Sequence, residues 1–210
     1  MEMNSPRKIY RVSVCERHEI KDFVEQNHYS KTMNGVNSTI CFKLTFQDEI
    51  IGAAVFGRLG MANNWKKFAS NPEAVLELRR LCCVDDTVRN AESYFIGKML
   101  KYLKKHTNYE IVVSYADENE NHKGTIYKAS NFKYLGLSKG GKRIKFGDRV
   151  YHDKSPRTRD SYGNLKPFAV RLQKALDAGE ATIYDIKGKH LYVYPLNNSI
   201  GHKKDVLDKI

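Results

Sequence analysis

The sequence predicts an α/β protein with a central mixed sheet, helices on its faces and a small C-terminal appendage. Three observations point there. Apolar runs of strand length, AVLELRRLCCV (74–84) and YEIVVSYAD (109–117), bracket one clear amphipathic helix, NAESYFIGKMLKYLKKH (90–106). A strand, a helix and a second strand in that order usually form a right-handed parallel crossover. Shorter alternating segments separated by turn residues lie before and after this unit and read as antiparallel strands.

Taken in order, KIYRVSVC (8–15) reads as a strand and ERHEIKDFVEQNHY (16–29) as a helix, with Ile20, Phe23, Val24 and Tyr29 near helical spacing. NSTICFKLTFQ and EIIGAAVFGRL form a hairpin turning at Asp48-Glu49, and 61–72 is a loop with some helical character. On the helix 90–106 the apolar face is Tyr94/Phe95, Met99 and Tyr102/Leu103. Lys101, Lys104 and Lys105 gather toward its C-terminal end, where the helix dipole favours cations. HKGTIYKAS (122–130) is a short helix, and FKYLGLS and RIKFGDRVYH supply the next strands. This core is expected to span residues 1–153, with 154–210 packed on it as a basic appendage. The appendage has a helix, LKPFAVRLQKALDAG, and a hairpin, TIYDIKGKHLYVYPL, turning at Lys187-Gly188. The last residues, NNSIGHKKDVLDKI, are expected to pack poorly.

The 210 residues suffice for one substantial core, and 41% hydrophobic with 29% charged is ordinary for a soluble globular protein. No run approaches the roughly 18 consecutive apolar residues of a membrane span. The N-terminus lacks the order of a signal peptide, so a cytoplasmic location is expected. The four cysteines show no metal-type spacing. Cys82 and Cys83, adjacent on one strand, point to opposite faces. No His/Asp/Glu/Cys cluster argues for a metal. The net charge of +12 attracts polyanions, nucleic acid above all. It concentrates in residues 139–159, with eight Lys/Arg against two acids. Lys142, Arg143, Lys145, Arg149, Arg157 and Arg159 are the candidate phosphate contacts; a solvated hairpin rim is the alternative.

The stretch SYADENENHKGTIYKASNF (114–132) carries the chemistry. In parallel α/β units ligands bind beyond the carboxyl ends of strands, and Asp117 lies at such an end. Asp117 is expected to face a cleft; capping the helix that follows is the alternative. Next door, the helix starting near Asn90 offers an anion-binding N-terminus. Glu77 and Arg79 share one face of their strand under strict alternation, with Arg80 on the other, and an ion pair is the simple account. His28-Tyr29 can wall a base or cap a helix. Asn121 and His122 read as helix-start polar residues.

The order of elements resembles the GNAT acyltransferase fold. IYKASNF (126–132) is similar to that superfamily's late LYxxxGF motif, with Asn131 in place of glycine. Asn is the next most tolerant residue of left-handed backbone angles. The resemblance makes Tyr127 an acid that protonates a leaving group. The superfamily's R/Q-x-x-G-x-G/A signature aligns with Arg89-Asn90-Ala91-Glu92-Ser93-Tyr94, where both glycines are missing, so ordinary CoA binding is not expected. LELRRLCCVDDTVRNAESYFIGKML, SYADENENHKGTIYKASNF-KYLG and KHLYVYPL together resemble the Mom DNA-modification family of Mu-like phages, over roughly residues 20 to 195.

That resemblance implies an acetamide-type (carbamoylmethyl) group placed on the exocyclic amine of adenine in DNA, protecting the DNA from restriction. It implies action in a host-cell cytoplasm and an arginine in the cleft at Arg79. The adenine amine reacts only as it loses a proton, so an acceptor is required; Asp117 is the candidate. A duplex hides that nitrogen, so the partner is double-stranded DNA with the base flipped out, against His28, Tyr29 or Tyr127. Arg89, Asn90 and Ser93 are the candidate donor-binding residues. The small-molecule donor is left open between acetyl-CoA and another acyl or aminoacyl donor. Two alternatives stand beside this: a GNAT N-acetyltransferase acting on a protein, a small amine or an aminated base, and a non-catalytic basic DNA-binding protein.

Overall fold

The computed structural model describes residues 5–61 and 63–196. Its helices are α1 (Pro6–Ile9), α2 (Arg17–Asn27), α3 (Ala91–His106), α4 (Thr125–Ala129) and α5 (Pro167–Asp177). Its strands are β1 (Arg11–Cys15), β2 (Ile40–Phe46), β3 (Glu49–Gly57), β4 (Val75–Cys83), β5 (Ile111–Asp117), β6 (Lys133–Leu137), β7 (Gly141–Phe146), β8 (Arg149–His152), β9 (Thr182–Ile186) and β10 (Lys189–Pro195). The chain divides into two units. The first comprises the residues up to Ala116, His122–Gly136 and those from His190; the second comprises Asp117–Asn121 and Leu137–Lys189.

The first unit is built on a seven-stranded mixed sheet of order β1-β2-β3-β4-β5-β10-β6. The β1–β2, β2–β3 and β3–β4 pairs are antiparallel, and β4–β5 is parallel as the crossover predicts. On one face α3 buries Phe95, Ile96, Met99 and Leu103 against Phe42, Leu44, Phe56, Leu76 and Leu78. On the other, Ile20 and Val24 of α2 pack on Cys41, Ala53 and Val55. Cys82 joins the second cluster and Cys83 the first, as adjacent strand residues must. A reciprocal capping box between Glu16 and Glu19 starts α2.

The β4–β5 ladder is short. It runs from Val75 opposite Ile111 to Leu78 opposite Ser114, although β4 continues to Cys83 and β5 to Asp117. Just there, β4 carries an irregularity. Val55 faces Arg80 and Phe56 faces Leu78, so Arg79 is the extra residue of a β-bulge. The strict alternation expected along this strand therefore breaks between the two arginines.

Local differences from the sequence reading have physical causes. The first strand splits into α1 and β1. The β2–β3 turn is Gln47-Asp48, both at positive φ (49° and 66°), one residue earlier than expected.

In the second unit β7 is the middle of a three-stranded antiparallel sheet, β8-β7-β9. Leu172 and Ala175 of α5 pack on Ile144, with Phe146 and Tyr151 alongside. A boundary after residue 153 would cut through this unit, because β7 bonds β8 on one edge and β9 on the other. The hairpin expected over 182–196 is not formed either: β9 pairs with β7, while β10 lies between β5 and β6. The link passes close to another segment at Gly188, where an added Cβ would lie 1.7 Å from the Ser138 carbonyl oxygen. The expected loosely packed stretch after Leu196 lies outside the described residues.

Candidate active site

Where β4 and β5 part, Ser114 is fully buried and its hydroxyl lies 3.5 Å from the Leu78 carbonyl. The Tyr127 hydroxyl hydrogen-bonds Ser114. Burial pushes the Tyr127 hydroxyl up to about 12, against the downward pull of the Ser114 bond. It therefore stays protonated through the physiological range and can donate a proton or a hydrogen bond.

The helix that carries Tyr127 is short and held at both ends. It starts at Gly124 in the left-handed region (φ +70°), where a Cβ would lie 2.3 Å from the Tyr192 ring. Tyr192 donates from its hydroxyl to the Lys123 carbonyl at 2.5 Å. The Tyr127 ring packs 5.5 Å from Phe132 and 5.3 Å from Tyr192. Past its C-terminal end, Asn131 takes φ +61°, the left-handed conformation expected of an Asn replacing glycine.

His28 and Tyr29 divide the two roles read for them. His28 is buried; its amide donates to the Val24 carbonyl and closes α2, and its ring Nδ1 accepts from the Ser30 amide. Tyr29 is 40% exposed, stacked 4.2 Å from His28, and meets His122 edge-on at 5.3 Å. Tyr29 also interacts electrostatically with both Arg80 and Tyr127. Tyr29, His122, Tyr127, Ser114 and Arg80 thus gather around the gap between β4 and β5.

The arginine in this group is Arg80. Arg79 donates to the Arg58 carbonyl at 2.8 Å and lies 3.7 Å from Glu77, whose carboxylate also accepts from the Gly60 amide at 2.9 Å. This is the ion pair read as the simple account. Arg80 gives one guanidinium donor to the Arg79 carbonyl at 2.8 Å, and burial lowers its pKa. Among the described residues the Nε of each arginine is buried without a partner. The bulge at Arg79 hides Arg80 from any alternation argument. The Arg-Arg doublet was the available signal, and it could not rank the two.

Along α3 a cleft of about 610 Å³ is lined by Arg7, Asn90, Ser93, Lys101, Lys104 and Ser130, among others. It includes two of the expected donor-binding residues; Arg89 is not in its lining. Asn90 sits at φ +68° before α3, and the Ser93 hydroxyl donates to the Asn90 carbonyl at 3.1 Å. The residues fit a CoA pyrophosphate poorly. The Val88 amide donates to the Tyr10 hydroxyl at 3.0 Å and the Ala91 amide to the Val88 carbonyl at 3.1 Å. A cradle of backbone amides is thus partly spent, and the cationic groups here are the side chains of Arg7, Lys101 and Lys104.

In the second unit Asp117 ends β5. Its Oδ1 accepts from the Asn119 amide at 3.1 Å and side chain at 2.8 Å, capping the 3-10 turn Glu118–Glu120. Its Oδ2 lies 2.7 Å from the Lys189 ammonium. Partial burial raises the Asp117 carboxyl, but Lys189 and Asn119 together hold it below the ordinary aspartate value. The capping alternative is thus realised, together with an ion pair to Lys189 that the sequence reading missed. Of the basic residues, Lys142 pairs with Asp185 at 3.3 Å and Arg159 donates to the Gly163 carbonyl at 2.6 Å. Arg143 is half-buried, and Lys145, Arg149 and Arg157 are exposed. Among the described residues no group of three or more His, Cys, Asp or Glu is placed to hold a metal, and no helix is long and apolar enough to cross a membrane.

The mixed sheet, whose parallel strands β4 and β5 part beside Tyr127, has the fold of solved acetyltransferases. The ribosomal-protein-S18-alanine N-acetyltransferase of Escherichia coli has this fold (TM-score 0.51, 10% identity, covering 92% of this chain and 97% of that one). So does the spermidine/spermine N-acetyltransferase of Vibrio cholerae (TM-score 0.50, 8% identity, covering 98% and 99%). Within that fold the chain belongs to the Mom protein family, whose pattern matches residues 9–209. It is 28% identical over 120 residues to the methylcarbamoylase mom of Escherichia phage Mu. That match covers 55% of this chain and 49% of the relative, about half its length.

Proposed function

We propose that the chain is a DNA-modifying group transferase that adds an acetamide-type (carbamoylmethyl) group to the exocyclic amine of adenine. Membership of the Mom family and the likeness to the methylcarbamoylase mom of phage Mu support the reaction class. The observation that carries the reading is the protonated Tyr127 hydroxyl on Ser114 at the β4–β5 gap, with Arg80 and Tyr29 close by.

In the proposed step the adenine nitrogen attacks the transferred carbon of the donor. The new N–C bond forms as the bond from that carbon to the leaving group breaks. Tyr127 supplies the proton the leaving group takes, and the amine proton passes to an acceptor. Arg80, half-buried with its Nε unpartnered among the described residues, holds the anionic or carbonyl part of the donor by charge-assisted hydrogen bonds. The flipped base packs on the exposed Tyr29 and His122 rings. Asp117 is the proposed acceptor for the amine. Its ionised carboxylate at the end of β5 supports this role. Its depressed pKa keeps the carboxylate ionised, and so able to accept a hydrogen bond from the amine, while making it a weaker base than an ordinary aspartate. The basic cleft beside α3 suits an anionic donor held by side chains.

The test is mass spectrometry of nucleosides from plasmid DNA of cells expressing the protein. A heavier adenosine that disappears in Tyr127→Phe supports the proposal. Unmodified DNA together with acetyl-CoA turnover on amines would replace it with the acetyltransferase reading. Unmodified DNA with tight, salt-sensitive binding and no turnover would leave a binding protein.

A further inference from the structure

The two faces of the β8-β7-β9 sheet differ in kind. Ile144 of β7 points to the α5 side, where it is buried with Leu172 and Ala175. By strand alternation Lys142 and Phe146 share that side, and so do Tyr151, Arg149 and Asp185, which stand opposite them in register. The residues of the other face lie outside that cluster. There Arg143 stands between His152 and Tyr184 in one row across the sheet, and Lys145 between Val150 and Thr182 in the next.

Several features of this open face point to a partner. Apart from the half-buried Arg143, the residues of the two rows are exposed, including Tyr184 at 39% and Val150 at 56%. The strand residues on this face include no Asp or Glu, whereas the α5 face has Asp185 paired with Lys142. Among the described residues no carboxylate pairs with Arg143 or Lys145. Two cations on one strand, two residues apart, are about 6.8 Å from each other, close enough to engage neighbouring phosphates of one backbone. An exposed tyrosine beside an arginine adds a ring that packs on a sugar or an unstacked base.

We infer that this open face is a docking surface for the DNA backbone, with Arg143 and Lys145 on phosphates and Tyr184 packed against the adjoining nucleotide. The inference rests on the reading that DNA is the substrate. It sorts the basic residues by face: Arg143 and Lys145 bind, while Lys142 and Arg149 on the α5 side contribute little.

Fluorescence anisotropy of the full chain with a labelled duplex oligonucleotide, over a salt series, tests this. Arg143→Ala/Lys145→Ala should weaken binding roughly 10- to 100-fold at about 100 mM salt and lower the salt slope by about 2. Tyr184→Ala should weaken binding several-fold with the slope kept. Lys142→Ala/Arg149→Ala should change affinity less than about twofold. Thermal melts confirm that the variants fold. Equal losses from both pairs, or none from the open-face pair, would overturn the docking face. If the wild type still modifies adenine in cells in that case, only the face is wrong. A wild type that neither binds duplex nor modifies DNA overturns both readings.

Discussion

The Lys189 ammonium lies 2.7 Å from Oδ2 of Asp117, tying the end of β5 to the start of β10. Asp117 therefore remains a carboxylate well into acid. Its folded pKa is depressed, so the stability it contributes is present above the unfolded value near 3.9 and is lost as pH falls through the lower folded value. Lys189→Met should lower the melting temperature at neutral pH and flatten its dependence on pH below the ordinary aspartate range. An NMR titration of the Asp117 carboxyl should show its pKa rise. An unchanged titration would show that Asn119 alone sets the charge state.

Tyr127→Phe removes one hydroxyl from the β4–β5 gap and keeps the ring against Phe132 and Tyr192. The rate of adenosine modification should fall by about 10²- to 10⁴-fold, the span of a general acid. Because burial holds the hydroxyl near 12, the wild-type rate should show no alkaline limb from this residue below about pH 11. A rate unchanged in the Phe variant would remove Tyr127 from the chemistry.

The two neighbouring arginines should behave oppositely. Arg80→Met takes away a half-buried guanidinium whose Nε is buried without a partner among the described residues, so modification should be lost with the melting temperature unchanged or raised. Arg79→Ala breaks contacts to Glu77 and the Arg58 carbonyl and should destabilise by roughly 1–3 kcal/mol. Denaturant unfolding of both variants, read with nucleoside mass spectrometry, separates the roles. Full activity in Arg80→Met would return the cleft assignment to Arg79.

Gly124→Ala forces a Cβ to within 2.3 Å of the Tyr192 ring at a left-handed backbone position. Strain and overpacking together should cost about 2 kcal/mol or more in denaturant unfolding. Since Gly124 starts the helix that carries Tyr127, activity should fall as well. A variant as stable as the wild type would mean that Tyr192 swings aside without consequence.

Local signals made much of this protein legible from its sequence. Helical periodicity marked α3, apolar runs marked β4 and β5, and their order gave the parallel crossover. Asn131 was read as left-handed from residue type alone, since backbone sterics act within a residue. Tyr127 was named through motif resemblance and Tyr29 from its place after the first helix; Tyr127 bonds Ser114 and interacts with Tyr29. What the sequence could not decide depended on partners far along the chain. The bulge at Arg79 exists because β3 pairs with β4 out of step, and it decides which arginine stands by Tyr29. β9 and β10 look like one hairpin, yet each ladders with a distant strand. Periodicity reports which faces a segment can bury; strand partners are chosen by hydrogen bonding and packing among segments that meet only in the folded chain.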